Sequence, residues 1–439
     1  MTTTLMSNAK NTYTQPVLLK NARIIDPQRG LDKTMDILLE KGKICALGNA
    51  IAPPAGAIVE DLAGLVVAPG FVDMHVHLRE PGFEHKETIE SGTLSALYGG
   101  FTAVCCMPNT NPAIDDESMV RFVHSQGKVV HGGMVDVFPI AAVTKKREGK
   151  ELAAIAELVQ AGAVGLSDDG APVYDAEIMR RALEYAGMYD VPIMQHCEDP
   201  SLVRGGAMNE GFVATELGLP GMPHIAEEIM VARDLMLAEY TGSRYHVCHV
   251  SSAGSVELVR AAKKKGIRVT AEVAPHHFTL TDDAVRSYDT NTKMNPPLRT
   301  VADVEALKEG LRDGTVDVIA TDHAPHSLDE KEVDYLQAPF GIVGLETSLA
   351  LSITMLVEPG ILTLTQLIEK LSVNPRRIIG KPVEIKEGAE AVLTIFNPKK
   401  QWTIETEQLH SKSKNTPFGG REVTGKAAGI VNNGLVMRY

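Results

Sequence analysis

Two histidines one residue apart, His75 and His77 in the run GFVDMHVHLREPG, have the spacing of a metal-binding pair. The run is apolar up to them and reads as a strand. Residues two apart on a strand point to the same side, so both imidazoles reach one ion. A lone pair of this kind arises by chance. Here, however, further ligand-type residues stand where other strand-like runs finish: Asp168 and Asp169 in SDDG, His196 in QHCED, His249 in CHVSS and Asp322 in ATDHAPH. Four imidazoles with Asp322 and one of the paired aspartates suit one or two zinc ions, for which ring nitrogen and carboxylate oxygen are common ligands. The chemistry of such a centre is hydrolysis, since zinc lowers the pKa of water to about 7 and polarises a carbonyl.

Elements that gather residues so scattered must end at a common face. Apolar strand-like runs at 71–75, 102–107, 129–135, 163–166, 192–194, 245–248, 269–273 and 316–320 alternate with helical stretches, as in βα repeats around a parallel sheet. The stretches ELAAIAELVQAG (151–162) and AEIMRRALEYAGMYD (176–190) carry apolar residues at three- and four-residue spacing, with Gly162 and Gly187 near their ends. Eight such units form a (β/α)8 barrel, whose catalytic residues lie where the strands terminate. Residues 16–66 and the tail from about 384 read instead as short strands with turns. Neither piece is able to bury a core alone. The expected fold is therefore α/β: a TIM-barrel hydrolase domain over 67–380, flanked by a small β-sandwich that residues 1–66 and 381–439 build jointly. The first dozen residues are expected to fray.

Composition narrows the partners. The net charge of −13 opposes nucleic-acid binding, which needs clustered Lys and Arg, and leaves room for a small anionic substrate beside one arginine and a metal. No run of about 18 apolar residues occurs and the start lacks a signal-peptide core, so no membrane partner and a cytoplasmic location are expected. Four of the five cysteines, Cys105, Cys106, Cys197 and Cys248, sit in strand-like runs, and all five, with Cys45, read as free thiols.

In this order, the HxH strand, SDDG, HCED, CHVSS, KMNPPLR and TDHAPH resemble the amidohydrolase superfamily and, within it, the class I dihydroorotases of bacteria; SKSKNTPFGG (411–420) is similar to that family's tail. The resemblance spans nearly the whole chain. It implies that His75, His77 and Asp322 hold the more buried zinc, that His196 and His249 hold a second, and that Asp169 rather than Asp168 bridges them, where many relatives use a carboxylated lysine. It implies further that Arg79 and Asn109 clamp the substrate carboxylate, a task to which the two parallel donors of a guanidinium are suited. His77, Asn295, His326, Phe340 and Gly341 complete the implied substrate contacts.

Plainer roles compete with these. Asp168 and Asp169 also suit a simple Asp-Gly turn, Arg79 a surface pair with Glu80 or Glu84, and Asn295 a loop before Pro296. The remaining histidines are expected to be structural, with His276 and His277, near the end of the seventh strand, the first in line to be added to the site. The segment SLDEKEVDYLQAP (327–339) is polar and reads as a lid.

The implied reaction is the reversible hydrolysis of (S)-dihydroorotate to N-carbamoyl-L-aspartate, with Asp322 carrying the proton between water and the ring nitrogen. Its reverse is ring closure in pyrimidine biosynthesis. An allantoinase or hydantoinase is the nearest alternative, although Arg79 and Asn109 favour a substrate with a ring carboxylate. A non-catalytic partner of aspartate transcarbamoylase is a second, opposed by the full set of ligand positions. The resemblance also allows a homodimer and an active complex with aspartate transcarbamoylase.

Overall fold

The computed structural model describes residues 15–439; the N-terminal dozen expected to fray lies outside them. Eight parallel strands stand in sequential order in one sheet: β1 (Phe71–Val76), β2 (Phe101–Cys106), β3 (Asp136–Ala141), β4 (Gly165–Leu166), β5 (Ile193–Gln195), β6 (Tyr245–Val247), β7 (Val269–Val273) and β8 (Val318–Ile319). The sheet closes where β1 meets the segment after β8. Val76 pairs with His323 there, and His77 N donates to His323 O at 2.9 Å. Alternate residues of the strands pack on different sides. Val72, Met74, Ala103, Cys105, Ile140, Met194 and Val318 form a cluster that fills the barrel, while Phe101, Val104, Cys106, Ile193, Val247 and Ile319 meet the surrounding helices.

The helices start and stop on local chemistry. Thr88 and Ser91 form a capping box at the head of Ile89–Gly99, and Asp175 Oδ1 accepts from Glu177 N and Ile178 N at the head of Ala176–Met188. Gly162 ends Ile155–Ala161 at φ 115°, a conformation that favours glycine. Gly187 lies within the last turn of its helix for a different reason: an added Cβ would stand 2.7 Å from Ser243 Oγ.

One strand is displaced from its expected place. The apolar run at 129–135 is not the third strand; it ends the helix Glu117–Val129 and continues as a 3-10 turn, Val130–Gly133, with His131 and Gly132 at positive φ. Val129 is 74% exposed, so its apolar character served no core. The strand follows at Asp136–Ala141, and the helix packs on it so closely that a Cβ at Gly127 would lie 2.6 Å from Val137 Cβ.

Both ends of the chain join in a second sheet beside the barrel. It runs Leu435–Arg438, Glu422–Asn432, Leu393–Thr403, Val66–Pro69, Val17–Asp26, Leu31–Glu40 and Lys43–Gly48, with Ile58–Asp61 branching from Val17–Asp26. The small β-sandwich expected from both chain ends is built from one branched, hydrogen-bonded sheet around a core that includes Leu19, Ile24, Ile37, Leu39, Leu393 and Ile395. N- and C-terminal pieces meet where Val66–Pro69 pairs antiparallel with residues 393–396, and Pro69 leads through Gly70 into β1. Arg376, buried, fixes that joint by donating from Nε to Gly70 O at 2.8 Å. Cys45 is exposed and the other four thiols are buried, none of them paired. Among the described residues, no helix is long and apolar enough to cross a membrane.

Candidate metal centre

The strand ends deliver their polar residues to one buried cluster. His75 and His77, at the end of β1, stand with ring centroids 5.4 Å apart. His75 Nε2 faces Asp169 Oδ1 at 3.3 Å and Asp322 Oδ1 at 3.5 Å, and His77 Nε2 lies 3.0 Å from the same Asp322 oxygen. His249, after β6, has its ring centroid 5.1 Å from that of His75 and its Nε2 3.8 Å from Asp169 Oδ1. His196, after β5, approaches His249 Nε2 through Nδ1 at 3.0 Å. All six groups expected at a metal are thus gathered at the barrel mouth.

Two neighbouring aspartates face different ways. Asp168 accepts from Val143 N at 2.8 Å, Thr144 N at 3.0 Å and the Thr144 hydroxyl, so both its oxygens are committed to the loop after β3. Asp169 turns toward the histidines and is steadied by Arg147, which donates to its backbone carbonyl. Burial alone would raise the Asp169 pKa, but His75, with His249 and His77, holds it well below the usual carboxylate range. Asp322 behaves alike: burial opposes ionisation, yet His75 and His77 bring its pKa down to about 2. Its backbone lies at φ 48°, an arrangement that costs free energy for a non-glycine residue and recurs at functional sites.

The residues present fit a metal ion. His75 Nε2, Asp169 Oδ1 and His249 Nδ1 are buried without a hydrogen-bond partner, which is costly unless a ligand completes them. The trios His75, His77, Asp322 and His75, Asp169, His249 each offer ligand atoms within 4.8 Å of one another. Nitrogen and carboxylate oxygen donors in this proportion suit zinc.

Around this floor stands a second set of side chains. Asn109, after β2, sets its Oδ1 2.8 Å from His77 Nδ1, so it orients that ring as well as facing the mouth, a contact the spacing did not announce. Arg79, at φ 62°, donates from Nε to Pro325 O at 3.2 Å and brings NH2 to 3.4 Å from His326 Nε2. It is not engaged in the surface pair with Glu80 or Glu84. Burial, with Arg79 and Lys86 nearby, takes the His326 pKa down to about 2 and keeps that ring neutral. Asn295 Nδ2 reaches His196 Nε2 at 3.5 Å, and its buried Oδ1 has no partner. Gly341 donates to Lys293 O at 2.9 Å with φ 153°, and a Cβ there would stand 2.5 Å from Ala324 O. Phe340 carries Lys293 Nζ over its ring at 4.9 Å.

The polar segment expected to form a lid is tethered at both ends. Lys293 Nζ donates to Tyr335 O and Leu336 O, and Lys331 Nζ to Thr290 O and Pro339 O. Burial brings the Lys331 pKa down to about 7.

Several participants escaped the sequence reading. Glu272 on β7 lies 2.6 Å from His75 Nδ1 and is held below the usual carboxylate range, against its burial, by His75 and His246. A carboxylate within the buried strand VTAEV was the available signal. Glu198, two residues beyond His196, sits 3.7 Å from its Nε2. Asn415, in the tail, accepts from His326 N at 3.0 Å and donates to Ala324 O and Gly341 O. His276 and His277 are both buried, and His277 Nε2 contacts Pro296 O at 2.9 Å.

Comparison with known proteins bears on what this cluster serves. A family model described as "Dihydro-orotase-like" matches residues 64–255. The chain is similar to the dihydroorotase of Pelobacter propionicus, 53% identical over 96% of this chain and 99% of that one, and to that of Syntrophus aciditrophicus, 51% identical over the same shares. Among solved structures it resembles the L-hydantoinase of Arthrobacter aurescens, with a TM-score of 0.86 at 26% identity over 96% of this chain and 95% of that one. The dihydropyrimidinase of Brevibacillus agri, TM-score 0.82 at 22% identity over the same shares, has the same fold.

Proposed function

The chain belongs to the dihydroorotase family, and from that premise we propose that it is a zinc-dependent class I dihydroorotase, opening the ring of (S)-dihydroorotate to N-carbamoyl-L-aspartate and closing it in pyrimidine biosynthesis. The observation that carries this reading is the buried meeting of His75, His77, Asp169, His249 and Asp322 around nitrogen and oxygen atoms without hydrogen-bond partners. In this reading those residues, Asp169 among them, would together with His196 hold one or two zinc ions. Bound zinc would supply Lewis acidity toward the ring carbonyl and make water more acidic.

The protein's own groups do the rest. Asp322, ionised at working pH, takes a proton as water attacks the carbonyl carbon and delivers it to the ring nitrogen as the C–N bond breaks. Arg79 and Asn109 take the substrate carboxylate, and neutral His326 adds a hydrogen bond without a competing positive charge. Asn295, with its unpaired Oδ1, faces the ring amide, while Phe340 and Gly341 close the opposite edge. Ring closure joins the carboxylate carbon to the amide nitrogen, breaks a carboxylate C–O bond, consumes a proton and releases water.

A steady-state assay on dihydroorotate, beside allantoin and hydantoin and with and without chelator, tests the whole. We expect turnover of dihydroorotate alone, abolished by chelator and restored by zinc; preference for hydantoin would transfer the chain to the activity named for its structural neighbours. We place the enzyme in the cytoplasm as a homodimer able to bind aspartate transcarbamoylase. Exposed Tyr185, Met188, Met236 and Tyr240 on two packed helices support an associating surface.

A further inference from the structure

We propose that Glu272 is a positioning residue of the metal centre, whose carboxylate fixes the tautomer and orientation of His75 and anchors the strand end that carries His249. The inference rests on the reading of His75 as a metal ligand. Glu272 is 1% exposed on β7, with Oε1 2.6 Å from His75 Nδ1. The same oxygen accepts from the backbone amide of His249 at 3.4 Å, and His249 is held at φ 31°, a conformation that needs such support. One carboxylate therefore touches both strand ends whose rings flank Asp169.

Its other oxygen has a histidine beside it but makes no hydrogen bond. Oε2 stands 3.1 Å from Nε2 of His246, a fully buried ring that is oblique to it, and His246 Nδ1 lies 2.8 Å from Thr270 Oγ1. The contact with His75 assigns a proton. An ionised carboxylate only accepts, so His75 carries a hydrogen on Nδ1, which leaves Nε2, facing Asp169 and Asp322, as the atom that would meet a metal ion. Held through Oε1 by the His75 ring and the His249 amide, with the His246 ring filling the space beside Oε2, the carboxylate keeps its place, and rotation is what would release His75 into the other tautomer. Among the described residues the ion-pair partners of Glu272 are these two histidines, with no lysine or arginine. A buried anion without a cationic side chain adds its charge to the attraction of the centre for a metal ion.

The experiment measures zinc affinity on metal-stripped protein by competition with a chromogenic chelator. Glu272→Gln keeps the shape but loses the charge and turns a donor toward one of the two rings, so zinc should bind about 10- to 100-fold more weakly. With zinc saturating, kcat for dihydroorotate should fall at unchanged KM, because Glu272 does not reach the substrate, and the visible absorption of cobalt-substituted protein should shift. Glu272→Asp, which keeps the charge on a shorter stem, should recover part of the affinity. Zinc binding within about twofold of the parent by folded Glu272→Gln protein overturns the proposal. Should that variant not fold, His246→Gln decides: it removes the ring beside Oε2, zinc affinity should drop several-fold, and unchanged affinity overturns the proposal equally. Parent protein that binds no zinc would instead overturn the reading of His75 as a ligand.

Discussion

The satellite sheet and the barrel mouth treat buried polar atoms in opposite ways. In and around the sheet they are paired: Asp26 accepts from Gln28 N and Ile385 N, Asp36 from Asn21 N and Ile51 N, and Thr394 accepts from Phe71 N while donating to Gly100 O. Among the described residues of the strands themselves, Arg438, with Nε and Nη1 unpaired, is the exception. At the mouth, His75 Nε2, Asp169 Oδ1, His249 Nδ1 and Asn295 Oδ1 are all buried and unpaired. Each such atom costs about 1–3 kcal/mol, so their concentration in one place is a local sacrifice of stability that a ligand repays. Where the sheet spends its residues on holding the chain ends together, the mouth holds groups ready for chemistry.

That contrast is open to test by substitutions that should separate stability from turnover. The largest effect is expected from Asp322→Asn, which should lower kcat for dihydroorotate by about 100-fold or more at saturating zinc while leaving the melting temperature near that of the parent. Near-normal turnover would remove Asp322 from proton transfer. Ile37→Ala, deep in the sheet, should do the converse: a loss of about 2–5 kcal/mol in denaturant unfolding with kcat per folded molecule unchanged. A fall in kcat there would mean that the sheet shapes the mouth as well as supporting it.

Arg79→Lys keeps the charge and loses the fork; a loss of about 1.5–3 kcal/mol in kcat/KM, chiefly in KM, is expected from steady-state kinetics. An unchanged KM would take the carboxylate clamp away from Arg79. The smallest effect concerns Lys331, whose folded pKa of about 7 lies below its ordinary 10.5. Between those values the unfolded chain holds a proton that the folded one has shed, so this group's contribution to stability rises with pH, by up to about 1.4 kcal/mol per unit. The stability of the parent relative to Lys331→Met should therefore rise from pH 7 to pH 9. A constant difference would mean that the ammonium holding the segment after His326 stays charged.

Chain order and residue spacing alone determined much of this protein. The period of two placed His75 beside His77, the alternation of apolar runs with helical stretches gave the eight-stranded barrel, and strand ends marked where polar residues would meet. What spacing cannot supply is the partner of an atom. Residue type does not separate Asp168 from Asp169, and the family resemblance alone favoured Asp169; the amides of Val143 and Thr144, brought alongside by β3, occupy Asp168 and leave Asp169 to the histidines. Glu272 looked like one more strand residue until β1, β6 and β7 set His75, His246 and the His249 amide around it. The third strand slipped past the apolar run at 129–135 because burial, not hydrophobicity, decides which residues pair, and Val129 faces water. Periodicity is written locally, whereas hydrogen-bond satisfaction and burial are settled among residues hundreds of positions apart, as Asn415 under His326 shows.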